Sequence, residues 1–240
     1  VAGDVVAAVG VDSKQTYVAG YKTKEFTPMH LSVMDGGLDM VEYIYYMSLN
    51  YGGMEVFLAD TTGKVNLLSG SQPQLDGLKL SENGKKAAYL DTDANTGDTI
   101  LGEIELGKEK AETVATNVQS FGYIGNTLIY YFDYTEGVGT LGAAGSKTTI
   151  ANASGVQFTE DAVYYVADAD AATGNGELRA WDGKTETAIA KDVFAFQYKD
   201  NGKLVYIGKY DVNAGVGDLY YYDGKEAHKL DTGITAIFIY

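Results

Sequence analysis

Two stretches bring carboxylates together at a spacing that could bind a hard cation. "DTDANTGD" offers Asp91, Asp93, Asn95 and Asp98, and "DADAATGN" offers Asp168 and Asp170. Calcium takes about six to eight oxygens, from acids at alternating loop positions with a glycine at the sharp turn and a closing Glu. In the first stretch the sixth position is Thr96, the glycine follows it and no Glu closes the loop. The sequence therefore leaves two readings: a calcium loop, or acids placed in solvated turns.

Other patterns suggest chemistry and lose it on their context. "GVGTLG" has the G-x-G-x-x-G spacing of a dinucleotide fingerprint, but that motif works only where a strand turns into a helix. Here it joins two strands, and "GNGEL" and "GVGDL" stand in equivalent places. "DGKT" resembles a phosphate loop, yet Leu178 stands where the first glycine is required, and no helix follows. Asp-Gly is instead expected to supply the positive φ of a type I′ hairpin turn, with Lys184 and Lys225 in solvent. The two histidines, His30 and His228, have no second histidine or cysteine within the next four residues to complete a metal motif. No G-x-S-x-G elbow and no cysteine offer a nucleophile. Catalytic residues: none; the balance is against an enzyme. No cofactor is implied beyond a possible calcium.

Eighteen basic residues against 33 acidic ones give a net charge of −15. That sign repels phosphate backbones and anionic lipid, so nucleic acid is excluded as a natural partner. No apolar run approaches the roughly 18 residues a spanning helix needs, so no direct membrane insertion is expected. The chain starts at Val1, and a signal or anchor is expected upstream. Neutral glycans and proteins remain as ligands; the oligomeric state is open.

The elements that position these residues emerge from a repeat. "AVYYVADADAATGNGELRAWDGKTETAIAKDV" returns as "LVYIGKYDVNAGVGDLYYYDGKEAHKLDTGI". Fainter copies cover residues 43–70, 87–118 and 128–154, with anchors at Tyr45, Ala88, Tyr130, Tyr164 and Tyr206. Each copy reads as four short strands, A to D, joined by turns; "FAFQYKDNG" typifies A and "VYYVADA" typifies B. Four strands repeated about every 40 residues are the signature of a propeller blade. The expected fold is all-β: one domain over residues 1–240, a six-bladed β-propeller of four-stranded antiparallel blades. Terminal strand "ITAIFIY" and the N-terminal strands would share one blade and close the ring; five blades plus an N-terminal extension is the alternative.

The "VYY…D…G-x-LYxxDGK…I" pattern resembles the six-bladed TolB-like propellers. It is also similar to propeller domains of unknown function in surface proteins of Gram-positive bacteria. The resemblance implies an extracellular or cell-surface scaffold that binds a protein or glycan, with no catalytic residues to carry over.

Blade topology puts the A–B and C–D turns on one face, and the longer B–C loops and D–A junctions on the other. Variable loops on a rigid rim are the usual place for binding. The rim carries the acids named above, and the D–A junctions add Asn117, Asn152, Asp192 and Asp231 as candidate ligand-binding residues. Glycan processing by channel carboxylates such as Asp192 and Asp231, or a spacer or sensor role in a larger anchored protein, are the alternatives. Trp181 is expected to pack between blades, with a sugar-stacking platform as its other reading.

Overall fold

The computed structural model describes residues 9–11, 17–22, 28–34, 40–45, 55–60, 65–68 and 74–238, except 94, 106–107 and 109–110, with side chains from residue 78 onward. The described residues are all-β, in antiparallel sheets. No helix long and apolar enough to cross a membrane occurs among them. The chain divides into two compact units, Val1–Val118 and Gln119–Tyr240.

In the first unit the strands are β1 (Val9–Val11), β2 (Tyr17–Lys22), β3 (Pro28–Met34), β4 (Met40–Tyr45), β5 (Glu55–Asp60), β6 (Val65–Leu68), β7 (Gln74–Leu80), β8 (Lys86–Thr92), β9 (Thr99–Glu105) and β10 (Glu112–Thr116). Strands β7 to β10 form the expected four-stranded meander, in the order β10-β9-β8-β7. Leu78 of β7, Ala87, Ala88 and Tyr89 of β8, and Leu101 and Ile104 of β9 are its buried apolar residues.

The copy read at residues 43–70 is built differently. β5 pairs with β2, from Tyr17 opposite Asp60 to Lys22 opposite Glu55, and not with β4. β3 and β4 pair as a separate hairpin, Met34 opposite Met40. The reason is local. "YVAGYK" and "MVEYIY" are both aromatic and β-branched strands, and either could accept β5. A short connection lets β3 take the edge of β4 at low entropic cost, which leaves β2 for β5.

The second unit contains β11 (Val118–Ile124), β12 (Thr127–Thr135), β13 (Val138–Ala143), β14 (Thr149–Phe158), β15 (Val163–Ala167), β16 (Gly176–Trp181), β17 (Glu186–Asp200), β18 (Lys203–Asp211), β19 (Val216–Tyr222) and β20 (Ala227–Ile234). They run as one sequential meander of three blades. β14 and β17 each serve two blades. The first half of β14 is strand D against β13, its second half is strand A against β15, and Ala153 pairs on both sides. The handover occurs at residues in the left-handed region, Asn152 (φ 56°) and Asp192 (φ 55°). Asn and Asp are the non-glycine residues that tolerate that conformation best.

Two layers between successive blades form the core. Along β15 the pleat sends alternate side chains to opposite faces. Val163, Tyr165 and Ala167 join Ile129, Tyr131, Leu141 and Trp181 in one layer. Tyr164 and Val166 join Leu178, Val193, Phe196, Leu204 and Tyr206 in the other. All five residues of β15 are buried. Each such apolar side chain contributes roughly 1.5–3 kcal/mol on burial.

Two amides clamp neighbouring blades. Gln157 donates from Nε2 to the Phe196 carbonyl at 3.0 Å and accepts from Tyr198 N at 3.0 Å. Asn175 does the same with Tyr210, donating to its carbonyl at 2.9 Å and accepting from its N–H at 3.2 Å. Each side chain satisfies a backbone donor and acceptor that strand pairing leaves free.

The ring closure inferred from residues 1–7 and 234–240 falls largely outside the described residues. Within them, residues 235–238 form no strand, and Phe238 is 76% exposed.

Candidate functional site

The B–C loops are built by their own acids. Asp170 Oδ1 accepts from Ala172 N at 3.0 Å and Thr173 N at 2.9 Å, and Gly174 N donates back to the Asp170 carbonyl at 2.7 Å. Asp93 repeats this with Asn95 N, Thr96 N and Gly97 N, and Asp211 with Asn213 N, Ala214 N and Gly215 N. The spacing D-x-x-x-G is thus a capped single turn, with the carboxylate satisfying two amides and glycine supplying a positive φ to leave it. Asn95 contributes its backbone N–H to the Asp93 cap. Asp98 closes the same loop, its carbonyl accepting from Asp93 N at 2.9 Å. Asp91 is buried and accepts from Thr92 N.

The remaining rim candidates are also engaged with backbone geometry. Asp168 sits at φ 49° and accepts from Asn152 Nδ2 at 3.2 Å, joining the end of strand B to the D–A junction. Asn117 is left-handed like Asn152 and Asp192. Asp231, exposed on β20, accepts from Thr232 N at 2.8 Å.

The paired glycines of these loops have separate tasks. At Gly176 a Cβ would lie 2.5 Å from the Ala167 carbonyl oxygen and 2.6 Å from Val166 Cγ1. Gly139 and Gly217, at the equivalent places, are similarly close to strand B. The first glycine turns the chain and the second lets strand C approach; G-x-G is a packing motif here, as expected.

The "DGK" turns also hold, with a different turn type. Asp182 N pairs with the Thr185 carbonyl, so Gly183 and Lys184 are the central residues. Only Gly183 has positive φ, 91°, which is the type II′ pattern rather than type I′. Asp182 precedes the turn and caps it, accepting from Lys184 N and Thr185 N. Asp223 does the same for Lys225 N and Glu226 N.

These caps have an electrostatic consequence. Backbone N–H groups hold the carboxyls of Asp93, Asp170 and Asp182 below the usual range, and Asp223 down to about 2. A depressed folded-state pKa contributes stability above the unfolded value, near 3.9, and loses it as pH falls through the folded value. Urea midpoints should therefore drop steadily between about pH 4 and pH 2. Asp182→Asn, which keeps an acceptor, should show a shallower drop.

Trp181 is 3% exposed and lies in the first inter-blade layer, so it packs and offers no platform. The aromatics of the rim are others, Phe194 exposed and Tyr210 half-buried. Phe194 and Tyr210 stack face to face, centroids 3.9 Å apart and planes 8° from parallel. Gly174 lies against the Phe194 ring, so this pair joins the Asp170 loop to the end of strand β18. Tyr134 near the end of β12 and Val212 in the loop after β18 also stand exposed. The sequence offered one signal for this: "FAF" puts two phenylalanines on one side of β17, and only Phe196 reaches the core.

Among the described residues, three metal-type ligand atoms converge at one place, Asp223, Glu226 and His228, all within 4.8 Å of one another. That place is a C–D turn rather than the acidic rim. The search along the sequence missed it because both acids precede the histidine.

No family model and no curated protein sequence matches the chain. Among solved structures it is similar to an acylaminoacyl peptidase, at 12% identity and TM-score 0.49, covering 92% of this chain and 39% of that one. It is similar to the β-propeller domain of the Trilobed protease from Pyrococcus furiosus, at 12% identity and TM-score 0.49, covering 95% and 72%. TolB from Acinetobacter baumannii follows at 12% identity and TM-score 0.38, covering 80% and 52%. Four-stranded antiparallel meanders, handed from blade to blade at left-handed Asn and Asp residues, make this chain an all-β protein of the β-propeller class.

Proposed function

We propose that the chain is a non-catalytic binding scaffold of the cell surface or extracellular space, recognising a protein or glycan through its B–C loop face. One observation carries the reading. Of the six large apolar side chains exposed among the described residues, Tyr134, Val138, Phe194 and Val212 lie on the rim, Leu230 lies on β20 and Phe238 follows that strand, and none lies in the A–B or C–D turns. Apolar groups held in water by capped, rigid loops are what a recognition surface requires, and aromatic anchors dominate such surfaces. The excess of carboxylates on this rim favours cationic or hydroxyl-rich ligands.

The test is a glycan array and a protein pull-down with the immobilised chain, followed by titration of whatever binds. A Tyr134→Ser, Phe194→Ser, Val212→Ser variant should bind about tenfold more weakly or worse, since each anchor contributes of order 1 kcal/mol. Lys184→Ala with Lys225→Ala, on the opposite turns, should leave binding unchanged. Equal loss in both variants, or turnover of a bound glycan, would overturn the proposal.

A further inference from the structure

We propose that Asp223, Glu226 and His228 form a site for a zinc-like divalent transition-metal ion. His228 Nε2 stands 3.4 Å from Asp223 Oδ2 and 3.8 Å from Glu226 Oε1. Both separations exceed the roughly 2.7–3.0 Å of a charge-assisted hydrogen bond. The Asp223 separation is that of atoms sharing an ion: tetrahedral bonds of about 2.0–2.1 Å put neighbouring ligands about 3.3–3.4 Å apart. The three ligand atoms lie within 4.8 Å of one another, and rotation of the exposed Glu226 side chain would have to close the rest.

The turn positions the first ligand. Asp223 Oδ1 accepts from Lys225 N at 2.8 Å and Glu226 N at 2.9 Å, which fixes the carboxylate and leaves Oδ2 facing the imidazole. Hydrogen bonds of this kind orient ligating carboxylates in metal sites. His228 is held by β20, where it pairs with Tyr221.

The turn one blade earlier shows that the trio is additional to folding. It has the same Asp-Gly-Lys residues and the same two amides on Asp182, but Thr185 and Thr187 stand where Glu226 and His228 do. The hairpin needs only its aspartate, so the other two groups are free for another role. The side chains of all three are accessible, at 36%, 75% and 48% exposure, and a metal can enter without any opening of the fold. An imidazole with two carboxylates suits zinc and its neighbours better than calcium or magnesium, and three protein ligands leave a fourth position to water.

Calorimetric titration of the full chain with zinc chloride at neutral pH, in a non-chelating buffer, tests this. One equivalent should bind, and cobalt(II) should give the visible absorption of a four-coordinate ion at the same stoichiometry. His228→Ala should weaken binding at least tenfold, and Asp223→Asn, which preserves the turn cap, should weaken it too. His228 is exposed and Asp223 half-buried, and unchanged circular dichroism will show that the variants fold. Absence of zinc binding, binding that survives His228→Ala, or calcium binding as strongly as zinc would overturn the site.

Discussion

Replacing Trp181 with alanine should destabilise the second unit by about 3–5 kcal/mol, the range for deleting a buried large aromatic. Trp181 is the last residue of β16, where it pairs with Glu186 and stands opposite Val163. Its ring fills the layer between two blades together with Ile129, Tyr131, Leu141 and Tyr165. Tyr131 and Leu141 belong to the preceding blade, so the cavity would open between sheets rather than within one. Neither sheet can close on it without moving its neighbour, and this puts the cost in the upper part of the range for large-to-small changes. Trp181→Phe should cost markedly less, because it keeps an aromatic ring in the layer. Urea unfolding followed by circular dichroism checks both. A cost below about 1 kcal/mol for Trp181→Ala would mean that the residue is not core.

Gly176→Ala should cost about 1–3 kcal/mol, from one added methyl group. The new Cβ would meet a backbone carbonyl at 2.5 Å and a Val166 methyl at 2.6 Å, and a carbonyl in a paired strand cannot rotate aside. Gly145→Ala is the control. Unlike Gly176 it has positive φ (76°), and nothing lies within 4 Å of its Cβ, so there only the left-handed backbone is penalised. The two substitutions separate close approach to a neighbouring strand, at Gly176, from left-handed backbone, at Gly145 in the turn between β13 and β14. Equal melting temperatures for both variants would show that strand C does not approach strand B as closely as described.

How much of this was legible in the sequence depends on how local its cause is. The blade repeat, the structural character of G-x-G and the packing of Trp181 follow from alternation and turn residues over short spans. The partner of β5 does not, because β2 and β4 present the same type of strand and only connection geometry chooses between them. The rim acids were visible as a cluster, but their use as caps requires the path of the loop. Only with Asp93, Asp170 and Asp211 superposed does D-x-x-x-G stand out as the cap itself. Asn152 and Asp192 were singled out as polar residues at the D–A junctions, and their left-handed backbone adds a structural reason for those residue types. Phe194 and Tyr210 escaped notice because aromatic residues in strands are ordinarily core, and exposure is decided by where each blade ends.

The central claim is that the core lies between successive blades and meets at β15, buried on both faces, with the loops and turns as a rigid outer shell. Hydrogen–deuterium exchange of the intact chain tests it most directly. The amides of Val163–Ala167 should be the slowest to exchange in the second unit, and those of the exposed strand Ala227–Ile234 much faster. Exchange of Val163–Ala167 as fast as that of Ala227–Ile234 would contradict the account.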